Sequence, residues 1–259
     1  MGNDRRDFLK KLAGICAVGA GLTPLSEVSA ASGRPEYDIK PRSLVGKRWG
    51  MVVDMKKCWE EQEKRECKDC IHACHQVHNV PDIGDIKEEI KWIWTDPYEN
   101  VFPNQEHEYS DSIGKPFLAL CNHCDNPPCV RVCPTKATFK RADGVVMMDF
   151  HRCIGCRYCM AGCPFGARSF NFKDPRPFIK ERNEEYPTRM RGVVEKCNFC
   201  EERLAVGQLP ACVEACKAKA LVFGDLADPG SDVRKILRAQ YSIRRKTNLG
   251  TRPSVFYVV

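Results

Sequence analysis

Seventeen cysteines punctuate this 259-residue chain, and all but Cys16 fall into four short groups. The first is Cys58, Cys67, Cys70 and Cys74, and the second is Cys121, Cys124, Cys129 and Cys133. The third is Cys153, Cys156, Cys159 and Cys163, followed by Pro164, and the fourth is Cys197, Cys200, Cys212 and Cys216. Every group closes on a three-residue gap, a regularity that disulfide pairing would not impose on four separate segments. Thiolates so closely spaced are soft metal ligands. Zinc would need only two Cys-x2-Cys pairs and leaves the third cysteine and the Cys-Pro of the third group unexplained. An iron–sulfur cube explains both. The two-residue gaps wrap three thiolates around one cube, and the three-residue gap throws the fourth sulfur toward another. Pro164 favours an extended Cys163, while Gly155 and Gly162 let the backbone come close.

Small α+β units are expected to carry these groups. Met51–Met55 reads as a strand, and Asp143-Gly144 between Thr138-Phe139 and Val145-Val146 as a hairpin turn. Internal repetition supports duplicated units. Val53-Asp54-Met55-Lys56-Lys57-Cys58 parallels Met148-Asp149-Phe150-His151-Arg152-Cys153, and Cys133-Pro134-Thr135-Lys136-Ala137 parallels Cys216-Lys217-Ala218-Lys219-Ala220. Residues 75–120 read as an insertion with one strand or helix turn at Ile90–Trp94, and residues 171–193 as a connector. Residues 229–259 form a basic tail with a helix from Asp232 to Ser242. The apolar end Ser254–Val259 is too short to span a membrane but could pack on a partner; Trp92 and Trp94 are expected to serve packing, with a partner surface as the alternative.

The order and spacing of the groups resemble the four-cluster ferredoxin-like subunits of respiratory membrane oxidoreductases of the dimethyl sulfoxide, polysulfide and nitrite reductase type. Cys121 to Pro134, Cys153 to Pro164, Glu195 to Cys200 and Pro210 to Cys216 carry the match, over about residues 48–228, with Gly250 to Tyr257 similar to the family's C-terminal end. The export signal described below and the long first gap look most like the exported (DsrO-type) subunit of the sulfite-reduction-associated Dsr complex. The resemblance implies four [4Fe–4S] clusters bound across groups. One is held by Cys121, Cys124, Cys129 and Cys163, the next by Cys153, Cys156, Cys159 and Cys133. The third takes Cys58, Cys67, Cys70 and Cys216, and the fourth takes Cys197, Cys200, Cys212 and Cys74. An inner ferredoxin-like unit (121–193) would then be enclosed by an outer one (48–120 with 194–228). The implied role is electron relay between an integral-membrane quinone-reactive subunit and another exported redox subunit, a multihaem cytochrome c or a molybdenum enzyme. Two departures stand out: family members usually have two residues, not eight, between the first two cysteines of group one, and Lys217 stands where Pro often follows the last cysteine.

Arg5-Arg6-Asp7-Phe8-Leu9-Lys10, an apolar stretch to Leu25 and Val28-Ser29-Ala30 resemble a twin-arginine (Tat) signal over residues 1–30. It implies export of an already folded, metal-loaded protein to the periplasmic or extracytoplasmic face, with membrane association through partners. Cys16 is a passenger in that segment. The net charge of +7 does not indicate nucleic acid. Without the signal it is +6, and four cubes at about −2 each would bring the loaded protein to about −2. His72, His75 and His78 could ligate metal, yet the cysteines account for every expected site, and His123 is expected to hydrogen-bond. No residue pattern for bond chemistry on a substrate is present. The competing readings are a free soluble polyferredoxin shuttle and a structural zinc protein.

Overall fold

The strands are short and mostly apolar, and apart from the β4–β5 hairpin their partners lie well away in sequence. They are β1 (Trp49–Asp54), β2 (Ile93–Pro97), β3 (Pro116–Leu120), β4 (Thr138–Lys140), β5 (Val146–Met148), β6 (Ser169–Phe170), β7 (Val194–Glu195), β8 (Leu221–Asp225), β9 (Ser242–Ile243) and β10 (Val255–Val258). The computed structural model describes residues 42–105 and 114–259, which belong to a unit spanning Ile39–Val259. The export-signal reading lies outside the described residues. With short helices between the strands, the α+β class holds.

Four strands share one sheet in the order β8-β1-β10-β9. Met51 of β1 lies opposite Phe223 of the antiparallel β8 and opposite Val255 of the parallel β10. Alternate side chains of a strand face opposite ways, and here both faces are covered. Met51 and Val53 enter the main core, while Val52 meets Val233 of the helix Asp232–Ala239. That double burial is why β1 reads as an unbroken apolar run rather than an alternating one.

The C-terminal segment is a correction to the sequence expectation. Residues 229–259 are not a tail, and Ser254–Val259 is not left for a partner: β10 lies between β1 and β9, and Val255 and Tyr257 are fully buried. Its backbone pairs with strands on both sides, which the local apolar pattern could not reveal. The helix ends at Ala239, not Ser242.

Residues 75–120 contain more structure than one element. β2 and β3 pair antiparallel, with Ile93 opposite Leu120, and a helical turn covers Tyr98–Val101. Trp92 and Trp94 are buried, so they serve packing rather than a partner surface. Rings of Tyr98, Phe102, Phe117 and Tyr257 cluster at centroid separations of 5.2–6.3 Å, tying the hairpin to the C-terminal strand. The predicted turn at Asp143-Gly144 joins β4 and β5, and Thr138 pairs with Met148.

The eight-residue gap of the first group is helical, Met55–Arg65. Asp54 caps it by accepting from the Lys57 N–H at 3.2 Å, and Met55 and Trp59 anchor its inner face. The Glu and Lys residues of the gap are therefore the solvent side of a helix.

A buried ion pair locks the connector against the insertion. Arg189 Nη2 lies 2.7 Å from Glu195 Oε2, both side chains fully buried. Trp92 Nε1 and Asn171 Nδ2 also donate to this carboxylate, at 2.9 and 2.6 Å. Removing one partner strands a buried charge, so Arg189→Leu is expected to destabilise the protein by roughly 3–5 kcal/mol. Adding Glu195→Leu should recover part of that loss, and guanidinium unfolding of the single and double variants measures both.

Candidate metal centres

The second, third and fourth cysteine groups each fold as a tight loop leading into a short helix, whereas Cys58, Cys70 and Cys74 of the first group lie within the helices Met55–Arg65 and Asp69–Val77. In three groups the residue before the second cysteine takes a positive φ: His123 at 40°, Gly155 at 70° and Phe199 at 58°. At Gly155 a side chain is also excluded by space, because a Cβ there would lie 2.5 Å from the Gly192 carbonyl oxygen. A second left-handed residue follows three positions after the closing cysteine, at Lys136, Gly166 and Lys219. This turn sends backbone N–H groups back toward sulfur. Thr138 N–H donates to Cys133 Sγ at 3.5 Å, and Ala220 N–H to Cys216 Sγ at 3.3 Å. Lys136 and Lys219 thus occupy equivalent places in the repeat read from the sequence.

The loops bring cysteines of different groups together. Site I gathers Cys133, Cys153, Cys156 and Cys159 around one cavity. Site II gathers Cys121, Cys124, Cys129 and Cys163. At site III, Cys74 faces Cys197, Cys200 and Cys212. Site IV gathers Cys58, Cys67, Cys70 and Cys216, with Lys217 also on its wall. Lys217 itself is largely exposed, 3.8 Å from Asp69.

Cross-site neighbours arrange these as a row. Cys159 of site I faces Cys129 of site II, Cys197 of site III faces Cys121 of site II, and Cys70 of site IV faces Cys74 and Cys212 of site III. Every cysteine of site III is buried, whereas Cys156 of site I is exposed.

Several of the buried thiols are costly to ionise where they stand. Burial, reinforced by Cys58 and Cys216, pushes Cys70 up to about 12, and burial with Cys121 does the same to Cys124. Burial raises Cys74 and Cys212 well above the ordinary thiol value, and the facing thiols of site III add to it. Cys133 shifts the other way: against its burial, the Thr138 N–H and the Thr135 hydroxyl hold it below that value. Four facing thiolates therefore need positive charge among them. A cuboidal iron–sulfur core supplies it, and the donor set fits. Amide donors point at sulfur here as well: Phe199 N–H to Cys197 Sγ at 3.5 Å and Ala211 N–H to Cys200 Sγ at 3.4 Å.

The histidines fill other roles. His123 accepts from the Val146 N–H through Nδ1 at 3.1 Å and stacks on Phe199 at 3.6 Å. Burial, then Lys196 and Arg168, hold it well below the usual imidazole value. His78 contacts the Cys74 carbonyl at 2.9 Å and Glu202 at 2.8 Å. Its ligand atom, Cys200 Sγ and a Glu202 oxygen lie within 4.8 Å of one another, but Cys200 already belongs to site III. Burial lowers His75 to about 4.

Sequence reasoning missed Arg168 and Lys196, buried cations at the junctions of the row. Nothing in their local pattern marks them, because Lys and Arg are rarely buried.

Comparisons with known proteins agree with this geometry. A model described as a 4Fe–4S dicluster domain matches residues 116–176 and 177–226. The protein is 43% identical to iron–sulfur subunit 1 of an Hdr-like menaquinol oxidoreductase of Archaeoglobus fulgidus, over 98% of its own length and 97% of that relative's. It is 34% identical to a tetrathionate reductase subunit of Salmonella typhimurium, over 100% and 89%. It is 42% identical to a polysulfide reductase subunit of Wolinella succinogenes, over 53% and 64%.

The burial gradient predicts an order of thiol reactivity. In timed alkylation with peptide mapping, Cys156 is expected to label first and the buried Cys74, Cys124, Cys129, Cys159, Cys197, Cys200 and Cys212 last, so that site III is the one site with no early-labelling cysteine. Equal rates across the four sites would contradict the placement.

Proposed function

Since this protein belongs to the family of iron–sulfur electron-transfer subunits of respiratory oxidoreductases, we propose that each of its four sites holds one [4Fe–4S] cluster and that the row conducts single electrons through the subunit. The observation that carries this reading is the exchange of closing cysteines. Cys133 sits with the third group and Cys163 with the second, while Cys74 sits with the fourth and Cys216 with the first. The same exchange supports two interleaved ferredoxin-like units, a reading strengthened by the pairing of β1 with β8.

When bound, the clusters supply the one-electron redox chemistry. The protein's residues supply the rest: sixteen thiolates as ligands, amides directed at sulfur, and a packed core around site III. No side chain has a bond-making role.

The ends of the row suit exchange with partners. Near site I, Ile154 and Tyr158 are 68% and 62% exposed beside Cys156, and site IV is partly open. One end would meet an integral-membrane quinone-reactive subunit, consistent with a relative named for menaquinol. The other would meet an exported redox subunit, a multihaem cytochrome c or a molybdenum enzyme. Relatives named for tetrathionate and polysulfide favour a role in sulfur metabolism. Among the described residues no helix is long and apolar enough to cross a membrane. Attachment to the membrane would be through partners, on the periplasmic or extracytoplasmic face after Tat export.

Anaerobically isolated protein is expected to carry about 16 iron and about 16 acid-labile sulfide per molecule, the content of four cubes. Cys163→Ser should remove the site II cluster, and with it about a quarter of the iron, while site I keeps its own. Zinc without sulfide would overturn the reading.

A further inference from the structure

Two buried cations lie along the row without an ion pair to a carboxylate among the described residues. Arg168 is 5% exposed and Lys196 1%. The negative groups facing Arg168 are the thiolates of Cys129, Cys159 and Cys121; those facing Lys196 are Cys121, Cys197 and Cys129. The other buried arginines differ. Arg189 is paired with Glu195, and Arg245 turns to the carbonyls of Val101 and Phe165.

Arg168 Nη1 donates to Thr138 Oγ1 at 3.0 Å. Its Nη2 is buried with no partner among the described protein atoms, and the side chain lines the site II cavity. Lys196 Nζ donates to the carbonyls of Cys197, at 2.6 Å, and Val146. A buried charge left unanswered is costly, and arginine cannot shed its proton. The anion that answers Arg168 must therefore be the loaded site itself; burial disfavours the charged form of Lys196, which the Cys121 and Cys197 thiolates favour. An electron added to a cluster increases its negative charge, so a nearby fixed cation favours the reduced form and raises the potential.

From this geometry we propose that Arg168 raises the potentials of sites I and II, that Lys196 raises those of sites II and III, and that their effects add only at site II; this rests on the clusters proposed above. Site II is then the place in the row where buried charge holds the electron most strongly. An electron reaching it from a reduced neighbour leaves that neighbour oxidised, and no further reactant is needed.

Redox titration followed by electron paramagnetic resonance tests this on the whole protein, with wild type beside Arg168→Gln and Lys196→Gln. Iron and sulfide content, measured first, judges the proposed function separately: wild type without clusters sinks that reading, not the tuning argument alone. At unchanged loading each variant should lower the midpoints of two cluster signals, with one signal common to both and one moved by neither. Each shift should be tenfold or more in the reduction equilibrium, about 59 mV for one electron. Arg168→Lys and Lys196→Arg keep the charge and should stay within tenfold of wild type. Midpoints unmoved in both Gln variants, or all four displaced alike, would overturn the proposal. If a Gln variant fails to load, its charge-retaining counterpart decides. Normal loading with wild-type midpoints there supports the charge requirement, and loss there too overturns it.

Discussion

Four sulfur ligands turned toward one another inside protein are stable as thiolates only around positive charge. Each is desolvated, and each opposes the ionisation of the others. Site III states the constraint most strongly, since all four of its cysteines are buried and Cys74, Cys197 and Cys212 belong to the same core as the central sheet. Much of the architecture follows from it. A polypeptide that must deliver sulfurs from two distant segments to each site cannot also run long helices and strands through the same volume. The elements are accordingly short, and the loops between them are held by left-handed residues and hydrogen bonds to sulfur.

What stabilises such a fold before and around its sites is a small number of long-range ties. The sheet joins residues 49–54 to both 221–225 and 255–258. The aromatic cluster ties the β2–β3 hairpin to the C-terminal strand, and the Arg189–Glu195 pair fixes the connector beside Trp92. The exchanged cysteines add ties of the same kind, because each site closes a long loop. Metal binding and folding are thus coupled.

Features that live in local spacing were legible from the sequence: the four groups, the Asp143-Gly144 hairpin, the repeat that carries Asp54 and Asp149, and the α+β class. His123 also hydrogen-bonds, as its position inside a cysteine loop suggests. Features set by distant partners were not. Val255–Val258 looks like a frayed apolar end until β1 and β9 are placed on either side of it. The Glu-rich gap before Cys67 looks like a loop expansion until Trp59 is seen packed under it. Arg168 and Lys196 look like ordinary surface cations, because only the assembled row of thiolates makes their burial tolerable. The grouping of sulfurs across segments entered through a family resemblance, since spacing alone says that the fourth cysteine leaves its group and not where it arrives.

The central claim concerns what occupies the four cysteine sites, and anomalous diffraction from crystals of the anaerobically prepared protein at the iron absorption edge addresses it directly. The account predicts four compact multi-iron peaks in a row, one inside each set of cysteines, with sites I and IV at the ends. Single-atom peaks, peaks that vanish at the iron edge and return at the zinc edge, or continuous density between paired sulfurs would contradict it.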